Sequence, residues 1–175
     1  MATVLHLDDF QTGIFTIPLA TKQELVLEEY LALVECEYLT KLFGVELYEL
    51  FLADLDPQGL PQTQRFIDIY IKFSIQPEDC NYGNPIYTSM GLIEMLKGIV
   101  YFLYVRGSFT KLTNNGPKLT DSENSVNIRH NEHDIFTWFN MSVEYWCAIQ
   151  YRMRTESPDV YPEFRGLGLQ RALNF

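Results

Sequence analysis

His130, Glu132 and His133 form the local cluster that most suggests a metal site or acid–base chemistry. Zinc would need two further ligands, and no cysteine pair or His-Glu-x-x-His spacing supplies them. The residues from Asn131 to Asp134 also resemble a helix start, where acidic side chains complement the helix dipole. Capping is therefore the simpler interpretation, and the sequence predicts no bound metal and no cofactor.

Patterns for other catalytic chemistry are weak. Gly166 and Gly168 lack the third glycine of a dinucleotide-binding loop and follow no predicted strand. The sequence contains no Gly-x-Ser-x-Gly motif for a nucleophilic serine. Asp54 and Asp56 could act as paired carboxylates, but acids at a helix end before Pro57 are common. The sequence therefore predicts that the chain is not an enzyme.

Cys36, Cys80 and Cys147 are odd in number and far apart. This spacing argues against a disulfide framework and favours a reducing compartment. Cys36 and Cys147 lie within apolar helical patterns, which predicts that both are buried and unreactive. No signal peptide is expected, because Asp8 and Asp9 stand where an apolar run is needed.

The charge of the chain is strongly one-sided. The formal net charge is −10, and residues 1–64 contain eleven acids against Lys22 and Lys41. Residues 65–175 hold twelve acids against eleven bases. Because binding to phosphate backbones needs clustered Lys and Arg, specific nucleic-acid binding is not expected. The asymmetry favours a head-to-tail protein contact, a wall that repels nucleic acid, or simply a solvated acidic helix face.

The stretch from Thr88 to Arg106 is the element around which the other elements are expected to pack. It is apolar on nearly every face, which is typical of an interior helix. Its apolar run is too short and too interrupted for a membrane span, which needs about 20 mostly apolar residues. Thr88 or Ser89 can cap its first amides, and Glu94 and Lys97 are spaced to pair on one side.

The segment before this helix is predicted to be an arm followed by an acidic helical hairpin. Residues 1–20 have no helical period, and their aromatic side chains must lie on their own domain or on a neighbouring subunit. Thr21 and Glu24 form a capping box at the start of an amphipathic helix. Gly44 is expected to break this helix, and a second helical segment runs from Val45 to Asp54.

Three further segments complete the predicted fold. Pro61 suits the first turn of a helix that ends near Ser74. The turn signal Asn115-Gly116 predicts a small β-hairpin or a long loop over residues 108–128. A last long helix is expected from about residue 131 or 133 to Arg154, followed by an aromatic tail that must dock on another surface.

These elements predict a mainly α, single-domain helical bundle around a central buried helix at about 88–106. With 175 residues, 47% of them hydrophobic, the core needs no disulfide or metal. The expected parts are an extended arm at 1–20, a helical core at 21–154 with a loop insertion at 107–130, and a C-terminal tail at 155–175.

Three blocks of the sequence, which together extend over most of the chain, suggest a family. The runs Glu37–Tyr48 and Gly91–Arg106, followed by Glu123-Asn-Ser125 ahead of a Trp-containing helix, resemble small virion proteins of gut Bacteroides phages and prophages, including crAss-like phages. The resemblance implies a mainly helical head-to-tail connector, an adaptor or ring protein between portal and tail, commonly in twelve copies. It implies no catalytic residues.

A ring subunit needs surfaces for its neighbours. The residues predicted at such interfaces are Phe10, Phe15, Lys111, Asn114, Asn115, Lys118, Phe164, Arg165 and Phe175. The acids predicted to face the channel or a subunit contact are Glu28, Glu35, Glu46 and Glu49. An acidic wall would repel passing DNA and let it slide.

The expected partners are copies of the same chain, the portal protein, and a tail or second ring protein. DNA would pass without specific binding, and no membrane association is expected. The expected location is the head–tail junction of the virion, after synthesis in the host cytoplasm. Two other interpretations stay open: another virion component, such as a tail-completion or minor capsid protein, and a small phage enzyme or ligand-binding domain.

Overall fold

The order of helices and strands largely follows the prediction from the sequence. The computed structural model describes residues 3–17, 21–76, 86–113, 116–119 and 128–171. The helices are a 3₁₀ turn at Leu7–Phe10, α1 at Thr21–Leu33, a π-helical segment at Val34–Tyr38, α2 at Leu39–Phe43, α3 at Val45–Asp54, α4 at Gln64–Tyr70, α5 at Leu92–Phe109, α6 at Ile128–Tyr151 and a π-helical segment at Arg152–Glu156. The strands are β1 at Phe73–Ile75, β2 at Tyr87–Ser89, β3 at Thr110–Thr113 and β4 at Gly116–Leu119. The predicted mainly α fold class is confirmed.

Helices α1 and α2 are joined by the first π-helical segment into one uninterrupted helical stretch. Among its described side chains, the buried ones are Leu27, Leu31, Val34, Leu39, Leu42 and Phe43. Val34 and Leu39 are five residues apart. In a regular α-helix, residues that face the core are three or four apart. The wider π turn absorbs the extra residue, so the core-facing side continues across it.

Gly44 ends this stretch, as predicted. Its φ angle of 84° lies in the left-handed region, which glycine adopts without a steric penalty. A side chain at this position would also collide with Arg165, whose Cβ lies 2.8 Å from where the new Cβ would be. Helix α3 therefore begins separately at Val45.

Helix α5 is the buried central helix. Every described side chain from Leu92 to Val105 is buried or half-buried. Glu94 and Lys97 form the predicted ion pair, with Nζ and Oε1 2.9 Å apart. The core of the subunit is therefore built against this helix.

The predicted start of the central helix at Thr88 is wrong. Thr88 and Ser89 belong to β2, which pairs antiparallel with β1 and places Ser89 opposite Phe73. Ser89 accepts a hydrogen bond from the amide of Gly91, whose φ of 100° turns the chain into the helix. The polar residues that resemble a helix cap therefore close a strand and a turn instead.

Helix α4 is shorter than predicted at both ends. It begins at Gln64, while Pro61 lies in an isolated β-bridge with Leu55. It ends at Tyr70, because Phe73 and the residues after it pair with β2.

Helix α6 packs along α5, with the ring centroids of Phe102 and Phe139 4.3 Å apart. It starts at Ile128, earlier than predicted, and the π-helical segment extends it to Glu156. Its buried side, continued by the π-helical segment, includes Ile135, Phe139, Val143, Trp146, Ile149 and Met153. Between α5 and α6, β3 and β4 pair as the predicted antiparallel hairpin.

Both ends of the described chain contribute to the same core cluster as the helices. The buried residues outside the helices and strands include Val4, Leu5, Phe15, Ile17, Tyr161 and Phe164. Among the described residues, no helix has the length and apolar character that crossing a lipid bilayer requires.

Candidate functional site

Phe10 and Phe15, predicted as interface residues, are core residues of their own subunit. Phe10 is fully buried and Phe15 is nearly so. The ring centroid of Phe15 lies 5.9 Å from that of Tyr101 on α5 and 6.2 Å from that of Trp138 on α6. These two predictions are corrected, because the aromatic rings of the arm cover apolar surface of the subunit that carries them.

Glu35 fastens the arm to the first π-helical segment. Its Oε1 accepts hydrogen bonds from the backbone amides of Val4 and Leu5, at 2.9 and 2.6 Å. Burial raises the pKa of this carboxyl, although the two amides and the charge of nearby His6 act in the opposite direction. Glu35 is half-buried and engaged within its own subunit, and its predicted place at a channel or a subunit contact stays a prediction.

The other three predicted acids differ from Glu35 in that their side chains are exposed. Glu28 lies on α1, and Glu46 and Glu49 lie on α3, all with exposed side chains. Their place at a channel or a subunit contact stays a prediction.

One side of α1 mixes exposed acidic and large apolar side chains. Leu25, Val26 and Leu33 are 65%, 44% and 41% exposed, and Glu28 and Glu29 are exposed between them. Leu25, Glu29 and Leu33 follow one another at intervals of four, so they lie on the same side of the helix. We call these five residues the α1 surface.

A smaller surface of the same composition lies on α3. Val45 and Leu50 are exposed together with Glu46 and Glu49. These four residues, the α3 surface, carry two acids and no base.

The C-terminal segment, residues 161–171, is fastened to the end of α2 by its backbone. The amides of Arg165 and Leu167 donate hydrogen bonds to the carbonyls of Phe43 and Lys41, at 3.0 and 2.6 Å. The Trp146 indole and the Gln150 amide in turn donate to the Leu167 carbonyl. The segment is therefore held from α2 on one side and from α6 on the other.

Phe164 is largely buried against the core, and its predicted interface role stays a prediction. Arg165 is exposed and keeps its predicted role as an open hypothesis. Its guanidinium donates hydrogen bonds to the carbonyls of Pro162 and Phe164, which holds it beside the C-terminal segment.

A concave site of about 460 Å³, which we call the basic pocket, lies between the second π-helical segment and the C-terminal segment. Residues that line it include Met153, Arg154, Tyr161, Pro162, Phe164 and Arg165. The Arg154 guanidinium lies 5.6 Å from the centroid of the Phe164 ring. In the described part of the chain, no carboxylate forms an ion pair with Arg154 or Arg165. The pocket thus combines an apolar lining with two cations that pair with no carboxylate of the described residues.

The hairpin residues are only partly described. Lys111 and Lys118 stand opposite each other in the register of β3 and β4. Asn114, Asn115 and Phe175 lie outside the described residues. The interface role of all five stays a prediction.

Asp54 and Asp56 hold a turn and do not form a paired-carboxylate site. Each carboxylate accepts hydrogen bonds from two backbone amides within residues 58–63. Among the side chains that the structure describes, no three His, Cys, Asp or Glu residues are placed to hold a metal ion. The side chains of His130, Glu132 and His133 lie outside that set.

Cys36 and Cys147 are exposed, so the prediction that they are buried is wrong. Cys36 lies on the outer side of the first π-helical segment, and Cys147 follows buried Trp146 on α6. Cys80 lies outside the described residues. Both cysteines lie among apolar residues in the sequence, but that pattern does not indicate which side of the helix each thiol occupies.

Comparisons with known proteins give no match: no family model, curated protein or solved structure is similar to the chain. The resemblance to phage virion proteins therefore stays a prediction. The surfaces described above carry the functional argument.

Sequence reasoning did not anticipate the contacts of two site residues. Glu35 differs from its acidic neighbours only through long-range contacts with the arm, for which no local pattern exists. Arg154 is predicted only as the end of the last long helix, yet it borders a pocket. The sequence signal that could have found Arg154 is the aromatic tail after Pro158, because a nearby cation can stack on an aromatic ring.

Proposed function

We propose that the chain is a virion structural protein, a head-to-tail connector subunit that works by assembling with copies of itself on a portal. The observation that carries the proposal is the α1 surface. Scattered exposed apolar residues are ordinary, but Leu25, Val26 and Leu33 share one helix with acids between them. Such a surface suits a contact between subunits, because assembly removes the apolar side chains from water.

The α1 surface can supply both affinity and selectivity. Covering the exposed parts of its three apolar side chains would contribute on the order of 3 kcal/mol, since full burial of one such side chain contributes about 1.5–3 kcal/mol. Glu28 and Glu29 disfavour an acidic partner surface and favour a basic one. The surface therefore selects a partner by charge while apolar burial stabilises the contact.

The acidic α3 surface has a separate role in this proposal. Glu46 and Glu49 are exposed, and a wall that carries them would repel the phosphates of DNA. In a ring, α3 would line the channel while α1 contacts the neighbouring subunit. DNA would then pass without being bound, and the β3–β4 hairpin would be left to contact the portal or a second ring protein.

The location of the protein tests this proposal directly. We expect a label on the chain to appear at the head–tail junction when intact virions are imaged by electron microscopy. A label elsewhere on the virion would favour a tail-completion or minor capsid protein. Absence of the chain from purified virions would contradict a structural role.

Assembly of the purified protein is the second test. We expect Leu25→Ser combined with Leu33→Ser to shift the oligomer toward monomer, measured by multi-angle light scattering. Leu60→Ser is the matched control, since Leu60 is 47% exposed and lies outside the α1 surface. Equal effects of the two substitutions would remove the α1 surface from the proposal.

A ligand-binding domain is the second candidate, because a cavity of about 520 Å³ lies between the arm and α1. Residues that line it include Leu5, His6, Asp8, Leu31 and Glu35. Its volume is in the range that holds small molecules. Native mass spectrometry distinguishes the two candidates: a monomer that retains a compound of constant mass favours this one.

A further inference from the structure

We propose that the basic pocket of one subunit receives the α1 surface of a second copy of the chain. This inference rests on the proposed function, because it names the pair of surfaces through which subunits assemble. It identifies the partner surface for α1, which the proposed function does not name.

Charge complementarity is the first argument. Arg154 and Arg165 border the pocket without a carboxylate partner in the described chain. Glu28 and Glu29 are exposed on the α1 surface. In a chain with a net charge of −10, a second copy approaching with its acidic helix is repelled by most of the surface. The basic pocket is a place where that approach becomes attractive.

Apolar surface at the edge of the pocket is the second argument. Val160 and Leu167 are 45% and 64% exposed, and each is the chain neighbour of a residue that lines the pocket. Leu25 and Val26 lie within about one helical turn of the two glutamates on α1. Both surfaces thus combine two like charges with large exposed aliphatic side chains, and exposed Asp159 beside Val160 adds an acid to the edge of the pocket. This is the composition of an interface core with a polar rim.

The positions of the two surfaces give the contact a direction. The backbone of the C-terminal segment is hydrogen-bonded to Phe43 and Lys41 at the end of α2, whereas Leu25 lies near the start of α1. The separation along this helical stretch is about 25 Å, at about 1.5 Å per residue. Each subunit therefore offers two different surfaces at opposite ends, and their pairing is heterologous. Repeated contacts of this kind close into a ring or continue as a filament.

Two variants with reversed charge test the pairing. Arg154→Glu leaves one acid beside Arg165, which removes the net positive charge of the pocket. The double variant Glu28→Arg with Glu29→Arg makes the α1 surface basic. We expect each alone to weaken self-association by roughly tenfold or more in sedimentation velocity at low salt, because like charges then face each other. Mixing the two variants should restore assembly, since each supplies the surface that the other lacks.

Arg106→Glu is the matched control. Arg106 is an exposed arginine whose guanidinium lies 5.8 Å from the centroid of the buried Phe102 ring, much as Arg154 lies over Phe164. It is at the far end of α5 and does not line the pocket. We expect this variant to assemble like the wild type, and circular dichroism should show that all variants stay folded.

Assembly of the mixed charge-reversal variants is the decisive measurement for the proposed pairing. Mixed variants that stay monomeric overturn the pairing of these two surfaces, whatever the wild type does. If the wild type assembles and Arg154→Glu leaves assembly unchanged, the pairing is wrong while the connector proposal stands on the location of the protein in virions. If duplex DNA binds to the wild type and Arg154→Glu abolishes that binding, the pocket is a phosphate site and the inference also fails.

Discussion

The arm at residues 3–17 and the C-terminal segment at residues 161–171 are both aromatic and irregular, yet they are held in different ways. The arm is anchored by buried rings, chiefly Phe10 and Phe15, with one carboxylate as a fastening. The C-terminal segment also buries two rings, those of Tyr161 and Phe164, but beyond them it is held by backbone hydrogen bonds from Arg165 and Leu167 to the end of α2. The first kind of anchor depends on side-chain volume, and the second depends on close approach of two backbones.

This difference shows why the two ends have different remaining functions. Side chains that are buried in the core of their own subunit expose little surface for contact with a partner. A segment held through its backbone can keep side chains such as Arg165 and Leu167 exposed. The C-terminal segment is therefore the better candidate for contacts with a second subunit.

The largest expected effect tests the arm. Phe10→Ala removes a fully buried ring and should lower the free energy of unfolding by about 3–5 kcal/mol. Chemical denaturation followed by circular dichroism measures this loss. Ile14→Ala is the control, because Ile14 is an exposed residue of the same arm. Similar losses in both variants would mean that the arm is not anchored by its rings.

The next effect tests the backbone anchor. A Cβ at Gly166 would lie 1.9 Å from the carbonyl oxygen of Leu42, whereas a Cβ at Gly168 would meet nothing within 4 Å. Gly166→Ala should therefore lower the free energy of unfolding by about 2–3 kcal/mol, the upper part of the range for overpacking. Gly168→Ala should change it by less than about 0.5 kcal/mol, as at an ordinary surface site. A greater loss from Gly166→Ala than from Phe10→Ala would reverse the ranking of the two anchors.

A smaller effect is expected at the fastening of the arm. Glu35→Ala leaves the amides of Val4 and Leu5 without their acceptor and should cost about 1–2 kcal/mol. Glu35→Gln keeps an oxygen acceptor at the same place and should cost less. Hydrogen exchange of these two amides measures the local effect, and unchanged protection in the alanine variant would contradict the fastening.

The smallest effect is a pH dependence at the same residue. Because burial raises the pKa of Glu35 in the folded protein, the folded state binds this proton more tightly than the unfolded state. Its stabilising contribution is fully present below the ordinary value of 4.5 and is lost as pH rises through the raised pKa. Compared with Glu35→Gln, the wild type should lose stability over that interval, which thermal unfolding at several pH values can measure. A wild type that gains stability there would show a lowered pKa instead.

The sequence predicts the elements better than it predicts their contacts. The central helix, the break at Gly44 and the β3–β4 hairpin follow from local composition and turn chemistry, and the structure has all three. The β1–β2 pair is missed because strands this short leave no periodic signal, and polar residues before an apolar run favour a helix cap.

The candidate site is less predictable, because its residues are defined by distant neighbours. The burial of Phe10 depends on the helices that pack over it. The engagement of Glu35 depends on amides about 30 positions away. Arg154 and Arg165 line the same pocket because the C-terminal segment folds back along α6. The charge asymmetry along the chain indicates that the subunit has surfaces of different charge, but it does not indicate which residues form them.

The first π-helical segment has a consequence for how this helix tolerates changes in length. Its extra residue makes the step between buried positions Val34 and Leu39 five instead of four. Deleting exposed Cys36 would restore an α-helical interval and keep both halves facing the core, whereas a deletion inside α1 would rotate everything after it by about 100°. Single-residue length variation should therefore be accepted at the π turn and rejected one helical turn away.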